Sequence, residues 1–134
     1  PLLLSRIKLV LNEFGRVLKR RILKDGDKLL YSAKYLFFAD MLSFRETGQG
    51  MTGATYAALP QGPQLNNYRD LAETIRQANE DDAPPLTDLE KRIIMRVARK
   101  FPTDATVYHA SHNEPLWKRK SNGELIEYGD VISL

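Results

Sequence analysis

Chemistry in this chain of 134 residues would have to come from very few side chains. His109 and His112 stand three apart, a spacing that on a helix sets both imidazoles on one face. Beside a carboxylate they are metal-ligand types, but a metal site also needs a third ligand and an open position. The sequence holds no His-Glu-x-x-His pattern and no second histidine pair, so ordinary hydrogen-bonding roles are expected for both. Ser111 beside His112 is not a nucleophile–base pair, because sequence neighbours rarely face one another and no strained elbow surrounds it. Gly48, Gly50 and Gly53 precede no helix that would cradle a phosphate. The absence of cysteine removes disulfides, thiolate zinc sites and redox pairs. Asp40 lies inside an apolar run, where a buried carboxylate would need partners. A partly exposed or capping position is the expectation for it. These residues point away from an enzyme, and no cofactor or metal is expected.

The elements that would position such groups are mainly helical. Leu3, Leu4, Ile7, Val10, Leu11, Phe14, Val17, Leu18 and Ile22 recur near 3.6-residue spacing, which predicts an amphipathic helix that is long or broken around Gly15. Lys19, Arg20 and Arg21 then read as a solvated turn, and Asp25 or Asp27 as a cap for the next helix. That helix carries two adjacent apolar stripes, Leu30, Ala33, Phe37, Met41, Phe44 and Tyr31, Tyr35, Phe38, Leu42, and must be wrapped by the rest of the domain. Glycine ends it near Gly48. Thr52–Leu59 reads as a strand closed by a stiff turn at Pro60, Gln61, Gly62 and Pro63. Tyr68–Asn79 is a short polar helix, and Glu80–Pro85 the expected mobile linker. Thr87 and Glu90 form a capping box for a helix that Pro102 stops. Thr103–Ser111 predicts another helix, and Asn122-Gly123 a hairpin or strand return. The fold class is mainly α (α+β): a compact bundle of about five helices around one central apolar helix, with a small antiparallel strand pair.

Charge is segregated. Residues 1–28 carry eight Lys/Arg against three Asp/Glu; residues 70–90 carry seven acids against Arg76; residues 91–100 carry five bases and no acid. The plain reading is solvated helix faces that attract one another within the fold. The alternative is a DNA-binding operon regulator acting through the basic segments at 16–28, 91–100 and 118–120. No helix–turn–helix, zinc finger or aromatic platform supports it. No apolar run reaches the roughly 18–20 residues that span a bilayer, so no membrane partner and a cytoplasmic location are expected. The chain opens on Pro1, so either a Met has been removed or this is a piece of a longer chain; residues 1–134 read as one domain.

Several blocks occur in a telling order: Lys28-Leu-Leu-Tyr31, Phe38-Ala-Asp40, Phe44-x-x-Thr-Gly48, Thr52-Gly-Ala-Thr-Tyr56, Leu59-Pro-Gln-Gly-Pro63, His112-x-Glu-Pro-x-Trp117 and Gly123-Glu-x-Ile126. Together, over about residues 5–130, they resemble the Panacea domain, the SocA-like antitoxin domain of bacteria and phages. Six residues, Ser32–Phe37, separate two blocks that are usually contiguous, which lengthens or shifts the central helix. Gln61 stands where an aromatic often precedes the glycine. The resemblance implies an antitoxin that neutralises a co-encoded toxin by direct protein–protein contact, with no catalytic residue and no cofactor. DNA enters only if a fused or missing N-terminal module supplies it.

The toxin-binding candidates are Tyr56, Pro60, Gln61, Gly62, Pro63, His112, Glu114 and Trp117, with Thr52–Pro63 and the acidic face of 70–90 as the expected contact regions. Two roles are open to Trp117, a buried clamp or an interface anchor. The prolines divide between turn structure and contact, and His112 and Glu114 between bridging elements and lining a pocket. The toxin's identity and the oligomeric state are not written in the sequence.

Overall fold

The structure is a computed structural model that describes residues 2–23, 31–59, 62–65, 68–113, 123–126 and 128. Helix α1, Leu2–Leu18, turns Leu4, Ile7, Val10, Leu11 and Phe14 inward, all but Leu4 at most 1% exposed. It runs straight through Gly15. Its end comes three residues later, where Lys19 takes a left-handed φ of 58° and the Arg20 amide donates to Gly15 O at 3.1 Å. That is a Schellman-type close. A Cβ at residue 15 would stand 2.9 Å from Arg20 O, so the glycine serves the return of the chain rather than ending the helix.

Helix α2, Ser32–Thr47, is the axis of the molecule. Every residue from Ser32 to Ser43 is buried, and α1, β2, α4 and α5 pack around it. The six residues Ser32–Phe37 supply its first turns, fully inside the core. The expected caps Asp25 and Asp27 lie outside the described residues; α2 as described starts from Tyr31 without a side-chain cap. Aromatic rings tie it to its neighbours: Phe14–Tyr35 at 5.3 Å, Phe37–Tyr56 at 5.5 Å and Phe38–Phe101 at 4.8 Å between centroids. Tyr35 adds a polar clip, donating its hydroxyl to Phe101 O at 2.7 Å and accepting from Arg20 Nη2 at 2.8 Å.

Strands β1 (Tyr56–Leu59), β2 (Gly62–Leu65) and β3 (Leu125–Ile126) form one antiparallel sheet in the order β2-β1-β3. The expected strand from Thr52 is shorter because residues 52–54 are held elsewhere, as shown below. Gly62 and Pro63, expected in the turn, already belong to β2. Ala58 donates to Glu124 O (2.9 Å) and accepts from the Gly123 amide (2.6 Å), so its backbone groups face β3. Ala58–Pro63 is therefore a non-hydrogen-bonded pair, and the N–H that proline lacks falls on the outer edge of β2. There it costs no ladder bond and blunts pairing with another chain.

Helix α3, Tyr68–Gln77, is followed by a 3-10 turn, Glu80–Asp82. The expectation of a mobile linker here is overturned. Asn79 Oδ1 accepts from the Asp81 amide at 3.0 Å, Ala83 and Leu86 are buried, and the turn packs on α1. Lys8 Nζ donates to Arg76 O (2.6 Å) and Ala78 O (2.7 Å), and Asn12 to Glu80 (2.6 Å), so the polar composition is spent on internal bonds. Helix α4, Asp88–Lys100, begins with the full capping box, Glu90 N to Thr87 Oγ1 at 3.1 Å and Thr87 N to Glu90 Oε1 at 2.8 Å. Helix α5, Asp104–Asn113, is started by Thr103, whose hydroxyl accepts from the Thr106 amide at 3.2 Å.

Candidate functional site

Asp40 organises the interior. It is 0% exposed, against the expectation of a partly exposed position. Oδ1 accepts from the amides of Thr52 (2.5 Å) and Gly53 (3.3 Å), and Oδ2 from the hydroxyls of Thr52 (2.5 Å) and Tyr56 (2.7 Å). Burial pushes the carboxyl's pKa up, and these hydrogen bonds from Thr52, Tyr56 and Gly53 pull it back. The Tyr56 hydroxyl is held well above its ordinary pKa, by burial first and then by the Asp40 charge, so it remains a donor. Tyr128 closes the unit by donating to Ala54 O at 2.6 Å. Its ring lies where a Cβ on Gly50 would be, 2.2 Å from Cε2, so residue 50 must be a glycine for the ring to seat.

Two elements that carry expected site residues pack together. Gly62 and Pro63 lie on β2, which packs against α5, the helix of His112. His112 stacks on Tyr108 at 4.1 Å between centroids and places Nδ1 3.0 Å from Tyr108 O, a structural arrangement within α5. Tyr56 requires a correction: it is 0% exposed with its hydroxyl on Asp40, so its side chain is closed to any partner in this fold. Pro60, Gln61, Glu114 and Trp117 lie outside the described residues.

Two surface features stand out, the first missed by sequence reasoning and the second read there only as a basic run. The first is a groove of about 470 Å³ among Leu3, Arg6, Met51, Thr52, Pro84, Pro85, Thr87 and Glu90. Arg6 builds its wall, donating to Met51 O and Pro84 O at 3.2 Å each and pairing with Glu90. Thr52 is shared with the Asp40 unit, and Leu3 stands at the rim, 43% exposed. The only advance sign was Arg6 at the margin of an apolar stripe. The second is the outer side of α4, where Arg92, Met95, Arg96, Arg99 and Lys100 line a cavity of about 600 Å³. The i, i+4, i+7 spacing of its arginines was visible in sequence as a charge run.

Lys34 was also missed. It is 0% exposed on α2, with Nζ 5.5 Å from the centre of the Tyr108 ring. Burial lowers its pKa from the ordinary 10.5 to about 8. Between those values the unfolded chain binds more protons than the folded one, so stability gains from Lys34 as pH rises. Raising pH from about 7 to 9 should lift the melting temperature of the native protein by about 4 °C relative to Lys34→Met. Thermal melts of both proteins across that range check this; parallel curves would show that Lys34 does not titrate there.

Among the described residues no helix is long and apolar enough to cross a membrane. Neither a curated protein nor a solved structure gives a match to this sequence. A family model described as "Antitoxin SocA-like, Panacea domain" matches residues 33–118, from the start of α2 to beyond α5. That span is narrower than the blocks over 5–130 suggested, yet it holds the central helix, the Asp40 unit, β1, β2 and α4. The chain thus belongs to the SocA-like antitoxin Panacea domain family.

Proposed function

We propose that this chain is a non-catalytic antitoxin domain that neutralises a co-encoded toxin by direct protein–protein contact, acting in the cytoplasm. The observation that carries the proposal is family membership over residues 33–118. The structure adds support of a general kind. The buried carboxylate of Asp40 has both oxygens taken by Thr52, Gly53 and Tyr56, which makes it a structural tie. The basic side of α4 lies on a regular, capped helix, which lowers the ordering cost of binding. The contact surface we assign runs from the Leu3–Thr52–Pro84 groove along the outer side of α4, in place of the interior Tyr56.

The DNA-binding reading has less to stand on. Arg20 pairs with Asp104 at 2.8 Å, and Arg16 pairs with Glu13 on the surface of α1, so two bases of the first run already face acids of the same chain. Residues 24–28 and 118–120 lie outside the described residues.

The test is co-expression with the protein encoded by the neighbouring gene, scoring growth and co-purification. Rescue with a stable complex is the expected result. Rescue without a complex would replace contact by repression or degradation, and no rescue would remove the antitoxin reading.

A further inference from the structure

The outer side of α4 is unusual in its charge. Its inner side, Ile93, Ile94, Val97 and Ala98, is buried in the core, and the capping box fixes its start. Outside, Arg92, Arg96 and Arg99 follow one another at steps of four and three, with Lys100 beside them, all exposed. Among the described residues Arg92, Arg99 and Lys100 have no ion-pair partner, and Arg96 reaches only Glu46, at 3.5 Å. Like charges so close repel one another, which destabilises an isolated helix. The arrangement is costly without an opposing charge.

We propose that this ridge is the docking surface for an acidic amphipathic helix of a protein partner, which under the antitoxin reading is the toxin. Three observations favour that occupant. The arginines span about 10 Å along the axis, at the spacing of carboxylates placed i, i+4 and i+7 on a facing helix. The cavity between them has the half-buried Met95 in its lining, a contact suited to an apolar side chain and not to a phosphate. The ridge is also bounded by acids. Asp88 stands one helical turn before Arg92 at its N-terminal end and Glu46 at its flank, with the exposed Leu89 (42%) leading into it. A duplex backbone would carry its phosphates past the arginines onto those carboxylates. A short acidic helix ends before them and can set an apolar residue on Leu89.

The test compares the full chain with Arg92→Glu/Arg96→Glu/Arg99→Glu, changes at exposed positions whose effect on folding is monitored by thermal melting. The probe is a fluorescent helical peptide of about 16 residues with Glu at the matching positions and Leu beside them. At about 50 mM salt the native protein should bind it, and the triple variant should bind at least about tenfold more weakly. Equal binding by both proteins, displacement of the peptide by duplex DNA, or self-association that the triple variant abolishes would each overturn the proposal. In cells, the triple variant should lose growth rescue at unchanged soluble level. Rescue retained by the variant overturns this surface but leaves the antitoxin reading in place. Failure of the native protein to rescue removes that reading instead, and the peptide measurement then decides the ridge's chemistry alone.

Discussion

Asp40→Ala is expected to cost about 3–5 kcal/mol of folding stability, close to the whole margin of a domain this size. The reason is the number of donors left behind. The Thr52 and Gly53 amides, the Thr52 hydroxyl and the Tyr56 hydroxyl all end on this one carboxylate, which with the Tyr56 ring is fully buried. Asp40→Asn should be milder, at about half that cost. Its carbonyl can take the place of Oδ1 on the two amides, while its NH₂ faces hydroxyls that are able to rotate and accept. Urea unfolding of both variants decides this. An alanine variant within about 1 kcal/mol of the native protein would mean that the network is not a structural tie.

Asp40 also joins two of the distant sequence blocks on which the resemblance rests. Phe38-Ala-Asp40 and Thr52-Gly-Ala-Thr-Tyr56 are two halves of one hydrogen-bonded unit, the first on α2 and the second running into β1. As blocks they were legible. Their union was not, because the donors stand 12–16 residues from the acceptor and no periodicity reports such a distance. Local signals fared better. The capping box at Thr87 and the apolar stripe of α1 need only neighbours within a turn or two. The box is present as read, and the stripe is too except that Leu3 is 43% exposed and Ile22 lies beyond the end of α1. The segment at Glu80–Pro85 misled because acids and prolines resemble a linker by composition. Its order comes from Asn12 and Asn79, and from the burial of Ala83 and Leu86, none of which its composition shows. Gly15 was ambiguous for a related reason: its need arises from Arg20 O, brought back by a turn of the chain.

The charge pattern divides the same way. Bases on α1 meet carbonyls at the end of α3 and an acid at the start of α4, as in Lys8 with Arg76 O and Ala78 O and in Arg6 with Glu90, so much of the segregation is consumed by folding. The bases on α4 face outward, away from the core that α4's other side helps to build. A net charge of +3 therefore says less about partners than this one ridge does.

Under the antitoxin proposal, Tyr56→Ala should abolish growth rescue, and the cause should be folding. Removing the ring opens a cavity beside Phe37, and removing the hydroxyl strips a donor from Asp40, together about 4–5 kcal/mol. Tyr56→Phe keeps the ring and loses only the hydrogen bond, about 1–3 kcal/mol. In cells a loss of several kcal/mol lowers the amount of folded protein, so growth rescue fails just as it would if a contact residue had been removed. The two explanations separate on purified protein. If Tyr56 acts through the fold, Tyr56→Phe binds the toxin with native affinity while melting at a lower temperature, and Tyr56→Ala yields little folded protein at all. A Tyr56→Ala protein that melts like the native one yet fails to bind toxin would return Tyr56 to the contact surface and would require the β1 region to open on binding. The buried hydroxyl on Asp40 argues against such opening, because it would expose the carboxylate's four donors together and sacrifice the contacts that seat β1 on α2.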